Sequence, residues 1–88
     1  MKIVKAASAG TLESSDAYVE IEPGKNGIKV QLESVVMDQF GEAIEKTVRE
    51  VLAEQDVKNA NVRIIDRGAL DCVLRARVET AVLRGMEG

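Results

Sequence analysis

The spacing of the apolar residues changes from strand-like to helical along the chain, and this change limits the possible folds more than any other feature. Apolar and polar residues alternate from Ala17 to Glu22 and again from Ile28 to Glu33. A period of two is typical of a strand with one buried face. The segment between them, 23–27, contains the Pro, Gly and Asn residues of a turn. The pattern therefore predicts an antiparallel hairpin.

Two later segments have apolar residues at helical spacing, one from Met37 to Leu52 and one from Leu70 to about Arg84. Val62 to Ile65 form a further strand between them, and Ile3 to Ala7 form a short first strand. One-faced strands and one-faced helices must cover each other. We therefore expect an α+β fold in the order β-β-β-α-β-α. It has a small antiparallel or mixed sheet that includes the hairpin, and both helices pack on one face.

A chain of 88 residues fits one domain, which we expect to span residues 1–88. Its single Phe and Tyr and its lack of Trp predict an aliphatic core, with Phe40 as the core aromatic. The net charge of -3 argues against a nucleic-acid partner. No apolar stretch has the length of a signal peptide or a membrane span, so we expect a cytoplasmic protein without a membrane partner.

Histidine is absent and Cys72 is the single cysteine. The usual general base at neutral pH and the common metal-ligand clusters are therefore missing, and we expect neither catalytic residues nor a metal site. Without a histidine to activate it, Cys72 is better interpreted as a buried or half-buried small side chain than as a catalytic thiol. The composition favours a chain that binds or carries while the chemistry happens elsewhere.

The best candidate site is the small, polar segment 10–16, in which Ser14 is flanked by Glu13 and Asp16. A carrier needs a side chain that another enzyme can phosphorylate or esterify on an exposed loop, and the Ser14 hydroxyl fits that need. Residue types alone also allow a plain structural role, in which Ser14 and Ser15 are ordinary turn residues.

The second candidate is the segment 66–71, where Arg67 is a candidate docking or phosphate contact. The structural alternative is that Gly68 turns the chain and Asp71 stabilises a helix N-terminus, and we favour it. Scattered arginines suggest either a solvated face or a basic patch for phosphate groups or an acidic partner. The arginines concerned are Arg63, Arg67, Arg75, Arg77 and Arg84.

Three segments resemble the acyl carrier (gamma) subunit of citrate lyase. They are Ala9-Gly10-Thr11-Leu12-Glu13-Ser14-Ser15-Asp16, Gln39-Phe40-Gly41-Glu42-Ala43-Ile44 and the run from Asp66 to Arg77. They occur in the right order within a chain of the right length. In that family the serine after Thr-Leu-Glu carries the prosthetic group, so the resemblance implies attachment at Ser14, with Ser15 as the second choice.

The resemblance also implies the cofactor and the partners. The arm is 2'-(5''-phosphoribosyl)-3'-dephospho-CoA, joined to Ser14 through a phosphodiester, and its thiol carries acetyl and citryl groups while citrate is cleaved to acetate and oxaloacetate. The implied partners are the transferase (alpha) and lyase (beta) subunits, a holo-protein synthase that attaches the arm and a ligase that acetylates it. The chain itself is then a non-catalytic carrier.

Two other functions remain open from the sequence. The carrier subunit of malonate decarboxylase uses the same type of arm, although the segments around Ser14 and Cys72 resemble citrate lyase more. A non-catalytic α+β interaction module is the alternative from another class. A carrier is covalently modified and an adaptor is not, so the modification state separates the two.

Overall fold

A computed structural model describes residues 2–35 and 37–86, with the side chains of 37–40 outside that description. The predicted α+β fold and its order of elements are confirmed. The elements are β1 (Ala7–Gly10), β2 (Ala17–Pro23), β3 (Ile28–Ser34), α1 (Met37–Glu54), β4 (Ala60–Asp66) and α2 (Asp71–Met86). The first strand begins where the predicted one ends. None of the helices in the described ranges is long and apolar enough to cross a membrane.

The four strands form a mixed sheet in the order β1-β2-β4-β3. β2 pairs antiparallel with both β1 and β4, while β3 and β4 are parallel. A parallel pair needs a long crossover, and α1 supplies it between β3 and β4. β1 lies at one edge of the sheet and is antiparallel to β2. Residues 11–16, which join the two strands, therefore form the loop of a hairpin at that edge.

The predicted hairpin between residues 17–22 and 28–33 is wrong, because β4 lies between those strands. Pro23 and Ile28 both take Ala60 as their partner in the register. The connecting segment also binds the start of β4: the Ala60 N–H donates to the Gly27 carbonyl at 3.1 Å. It therefore spans two strand spacings, about 10 Å, instead of one. Alternation shows which face a strand buries but does not identify its neighbour.

Both helices pack on the same face of the sheet, as predicted. α2 contacts β1 and β2, α1 contacts β3, and the helices contact each other. The buried hydrophobic side chains in the described part of the chain are all aliphatic, including Val19, Ile64, Leu52 and Val78. Phe40, expected in the core, lies outside the described side chains. Neither α1 nor α2 covers the opposite face of the sheet, which carries polar side chains.

Candidate functional site

The candidate serine lies at the tip of the β1–β2 loop, at the end of the sheet where β3 and β4 also end. Residues Glu13 to Asp16 form a turn, closed by the Asp16 N–H donating to the Glu13 carbonyl at 3.2 Å. Ser14 and Ser15 are the two central residues of this turn, and both are exposed. The Ser14 hydroxyl makes no hydrogen bond within the described part of the chain. It is therefore open to reaction.

Gly10 allows the loop to leave β1 next to β2. Its φ of +92° lies in the region that favours glycine. A Cβ placed there would lie 1.8 Å from the carbonyl oxygen of Ala17, a distance no side chain tolerates. A residue other than glycine would thus force the two strands apart at the base of the loop.

The carboxylate of Asp16 fixes the other end of the loop. It accepts a hydrogen bond from the Thr11 hydroxyl at 2.6 Å and one from the Ala17 N–H at 2.7 Å. Arg77 on α2 adds two more, from Nε at 2.9 Å and Nη2 at 3.0 Å. A carboxylate offers about four acceptor positions, so these bonds occupy it fully. The loop is thereby tied to α2.

These bonds hold the pKa of Asp16 well below its ordinary value, because each stabilises the ionised form. The Arg77 guanidinium has the largest effect, followed by the Thr11 hydroxyl and the Ala17 N–H. The same pair raises the pKa of Arg77. Asp16 therefore stays ionised as a structural acceptor and is a poor proton acceptor for chemistry at Ser14.

The segment that follows β4 holds the loop from its other side. The Ser15 N–H donates to the Arg67 carbonyl at 2.8 Å, and the Arg67 N–H donates to the Asp16 carbonyl at 2.9 Å. Ser15 adopts a φ of +66°, which is uncommon for a residue with a side chain. These contacts fix the backbone of Ser15, whereas Ser14 has no such contact and lies at the free tip.

Segment 66–71 has the two structural features expected of it, a turn at Gly68 and an acidic residue at the start of a helix. Asp66 is buried, and its carboxylate accepts bonds from the N–H groups of Gly68 at 3.2 Å and Ala69 at 3.0 Å. It also accepts the Ser34 hydroxyl at 2.8 Å. Gly68 has a φ of +90° and Asp71 is the first residue of α2. One buried carboxylate thus joins the ends of β3 and β4 and shapes the turn that supports the Ser14 loop.

The five arginines do not form one basic patch, because four of them have separate partners. These contacts are Arg63 with Glu20, Arg75 with Glu54 and Glu50, Arg77 with Asp16, and Arg84 with the Ser8 carbonyl. The Arg67 side chain is exposed and makes no hydrogen bond or ion pair with the residues that the structure describes. Arg67 thus remains the candidate for a contact with a phosphate at Ser14.

Comparison with known proteins identifies the family. The model of the malonate decarboxylase delta subunit family of acyl carriers matches residues 4–85. Citrate lyase acyl carrier protein 2 of Salmonella paratyphi A is 56% identical over 88 residues, which cover 99% of this chain and 91% of that protein. The Escherichia fergusonii citrate lyase acyl carrier protein is 57% identical with the same coverage. This chain belongs to the citrate lyase acyl carrier protein family.

A solved structure agrees with this carrier's fold. A chain in the crystal structure of a Pseudomonas malonate decarboxylase hetero-tetramer in complex with malonate superposes with a TM-score of 0.82. The match covers 96% of this chain and 87% of that chain, at 24% identity. At that identity the likeness concerns the fold alone. The family resemblance predicted from the three sequence segments is confirmed by the closer citrate lyase relatives.

The interpretation of Cys72 as a buried or half-buried side chain is wrong, because Cys72 is exposed. Successive residues of an α-helix are 100° apart, so Cys72 lies about 200° around α2 from the buried Leu74. It is the second residue of α2, on the outer side. The apolar stripe of α2 in the sequence includes Leu74 and Val78, and Cys72 does not lie on that stripe. The pattern itself therefore indicated that Cys72 is exposed.

The bond between Asp16 and Arg77 is the site feature that sequence reasoning missed. The two residues are 61 positions apart. Both lie within the segments that resemble the carrier family, and no spacing rule connects residues on a loop and a distant helix. Their pairing depends on how α2 crosses β1 and β2, which is a property of the tertiary structure.

Proposed function

We propose that this chain is the acyl carrier subunit of a citrate lyase and that Ser14 is its point of attachment for the prosthetic arm. The observation that carries the proposal is the free Ser14 hydroxyl at the tip of a loop whose two ends are fixed. Asp16 and the Arg67 backbone hold the loop while leaving Ser14 unbound. The high identity to citrate lyase carriers supports this function.

The residues present fit an arm joined through a phosphodiester. Ser14 offers an exposed hydroxyl, and the exposed Arg67 binds the Ser14 turn through its own backbone N–H and carbonyl. A guanidinium is well suited to bind a phosphate oxygen. We therefore assign the phosphate contact to Arg67 and the covalent bond to Ser14. When bound, 2'-(5''-phosphoribosyl)-3'-dephospho-CoA supplies a thiol that carries the acetyl and citryl groups.

Attachment requires chemistry that this chain does not supply. The Ser14 Oγ forms the new bond to phosphorus, and the phosphoric anhydride bond of an activated precursor breaks, so that its terminal phosphate groups leave as an inorganic anion. A base must accept the hydroxyl proton. Asp16 is a poor base because its acceptor positions are occupied and its pKa is lowered. We therefore expect the holo-protein synthase to provide the base, which agrees with a non-catalytic carrier.

The carrier acts by holding the reactive group close to its partner subunits. A tethered group reaches each active site at an effective concentration in the millimolar range for a short flexible linker. The partners we propose are the transferase (alpha) and lyase (beta) subunits, with a ligase that acetylates the arm. Because Gly10 and Asp16 fix the base of the loop, the movement between active sites comes from the arm.

The test is the mass of the protein after co-expression with the holo-protein synthase and the enzyme that makes its precursor. We expect the mass of the phosphoribosyl-dephospho-CoA adduct on the wild-type chain, and peptide mapping of residues 6–25 to locate it at Ser14. Ser14→Ala should remain unmodified, whereas the matched control Ser15→Ala should be modified. An adduct on Ser14→Ala would place attachment elsewhere, and an unmodified wild type would favour the interaction-module function.

A carrier role in malonate decarboxylase is the second candidate, favoured by the description of the matching family. The distinction is made by reconstitution of the loaded carrier with the catalytic subunits of either complex. We expect citrate cleavage with citrate lyase subunits and no malonate decarboxylation. The reverse result would reassign the complex and leave Ser14 as the attachment site.

A further inference from the structure

The face of the sheet that neither helix covers carries two large apolar side chains next to each other. Tyr18 on β2 and Ile65 on β4 are direct partners in the register, and both are half-buried. They lie outside the hydrophobic core that the described residues form on the helix side of the sheet. The register partner of Tyr18 on its other side is Gly10, which has no side chain. Packing against the core therefore does not account for this apolar pair.

The pair lies at the end of this face that is nearest to Ser14. Tyr18 is the second residue of β2 and follows Ser14 by four positions, so their Cα atoms are at most about 14 Å apart. Ile65 is the last residue but one of β4. Two positions later, the Arg67 backbone binds the Ser14 turn. A group attached at Ser14 therefore starts close to the pair.

An open groove of about 510 Å³ crosses the same face, and Tyr18 is among its lining residues. The lining comes from all four strands of the sheet. Small-molecule sites are concave and usually measure about 300–1,000 Å³. The groove therefore has the size of a site for a small molecule or for part of a nucleotide.

The charges in this groove favour a small ligand over a protein partner. Its lining includes Glu20, Glu22, Lys29 and Arg63. A protein partner or a second copy of the chain would bury these charges, although charged residues are depleted at the centre of protein interfaces. Burial of a charge costs free energy unless it is paired and hydrogen-bonded. A flat ring that stacks on Tyr18 needs only the apolar pair and leaves the charges in water.

We propose that the adenine base of the prosthetic arm stacks on Tyr18, beside Ile65, at the Ser14 end of the groove. This inference rests on the proposed attachment at Ser14. Aromatic side chains bind nucleobases by stacking, because every base has a π-face. Tyr18 supplies the ring, and Ile65 supplies an apolar contact at its side. The residues present therefore fit this part of the arm.

The tether makes a weak contact sufficient. In 2'-(5''-phosphoribosyl)-3'-dephospho-CoA, a phosphate and two ribose rings join Ser14 to the adenine through about ten bonds, a reach of about 10 Å. That reach is comparable with the separation of Ser14 and Tyr18. A short tether gives an effective concentration in the millimolar range, so a stack too weak to hold a free nucleotide becomes occupied. With the base held, the pantetheine part of the arm carries the thiol between active sites.

Tyrosine fluorescence tests the stack directly, because Tyr18 is the single tyrosine of a chain without tryptophan. The protein is expressed with and without the holo-protein synthase and the enzyme that makes its precursor, and intact mass identifies the loaded form. A stacked base quenches the ring, so loading should lower the fluorescence at least about twofold. The difference should largely disappear in urea, which unfolds the groove and keeps the tether. Unmodified chain with an equal concentration of free 3'-dephospho-CoA should not be quenched.

NMR of the adenine ring protons measures the contribution of Tyr18. In the loaded wild type these signals should lie upfield of their positions in free 3'-dephospho-CoA. Tyr18→Thr keeps a residue suited to a strand and should lower the ratio of stacked to free base about tenfold, whereas Tyr18→Phe keeps the ring and the shift. The Ile65 methyl signals should move on loading. Those of Ile64, which is buried on the core side of the same strand, should not.

A mass-confirmed loaded wild type with unquenched fluorescence and adenine signals at their free positions would overturn the inference and leave attachment at Ser14 intact. So would a loaded Tyr18→Thr variant whose adenine signals stay shifted. If the loss of Tyr18 weakened only the binding of the lyase subunits, this face would be a protein interface, which also contradicts the inference. A wild-type chain that is never modified would refute the proposed function, and this inference with it.

Discussion

Asp16 links three parts of the chain through one carboxylate, and the Ser14 loop depends on it. It binds Thr11 within the loop, the backbone at the start of β2, and Arg77 on α2. Its side chain is only 14% exposed, so water competes little for these bonds. A loop that must present one hydroxyl to another enzyme benefits from this fixation, because less disorder has to be removed on docking.

The lowered pKa of Asp16 predicts how the loop contributes to stability as a function of pH. A carboxyl whose folded pKa is below its unfolded value of about 3.9 stabilises the fold above that value, and the contribution is lost as pH falls through the folded pKa. The unfolding free energy of the wild type should therefore exceed that of Asp16→Asn by a constant amount from pH 7 to about pH 5. The difference should shrink below about pH 4.

Urea unfolding of both proteins between pH 2.5 and pH 7 measures this difference. Glu13→Gln is the control, because Glu13 is an exposed acidic residue in the same loop, and its variant should follow the wild type. A difference in unfolding free energy between wild type and Asp16→Asn that stays constant down to pH 2.5 would show that the carboxylate charge does not contribute to stability.

Gly10 predicts a second effect on stability at this scale. Gly10→Ala places a methyl group against the Ala17 carbonyl in a left-handed backbone, so we expect a loss of at least about 2 kcal/mol in unfolding free energy. Gly68→Ala is the matched control, since Gly68 has nearly the same φ but nothing within 4 Å of an added Cβ. It should lose only about 1 kcal/mol. Equal losses would mean that β1 and β2 separate easily at this point.

At the scale of elements, the sequence predicted the strands and helices but not which strands are neighbours in the sheet. Alternation identified β2 and β3, and helical spacing identified both helices, because burial on one face imposes these periods. The same stripe identifies Leu74 as buried, at 3% exposed, and leaves Leu83 outside. The Ser14 loop was predicted from residue types and family resemblance. Its fixation by Arg77 was not, because it depends on tertiary packing.

Leu74 and Leu83 test the orientation of α2 directly. Leu74→Ala removes buried methyl groups and should lower the unfolding free energy by about 2–5 kcal/mol. Leu83→Ala, on the same helix, should change it by less than about 0.5 kcal/mol. Thermal or urea unfolding measures both, and comparable losses for the two variants would show that α2 is rotated from the orientation described.

For the whole molecule, the decisive feature is the position of β4 in the middle of the sheet. It pairs with β2 on one side and with β3 on the other, which brings the Arg67 turn between the Ser14 loop and Val35. A β2–β3 hairpin would have placed β4 at an edge and moved that turn away. The candidate site therefore depends on the insertion of the last strand in the chain between two earlier ones. The alternation of residues within each strand could not predict this strand order.

Hydrogen exchange of backbone amides tests this ordering without any mutation. A central strand uses successive N–H groups alternately towards its two neighbours, so the amides of Asn61 to Ile65 should all be protected. An edge strand directs every second N–H away from the sheet, so the amides of Lys29 to Glu33 in β3 should alternate between slow and fast exchange. Residue-resolved exchange followed by NMR measures both segments in one sample, and β3 is the internal control. Alternating protection in β4 with continuous protection in β3 would restore the hairpin and would remove the support that the Arg67 turn gives to the Ser14 loop.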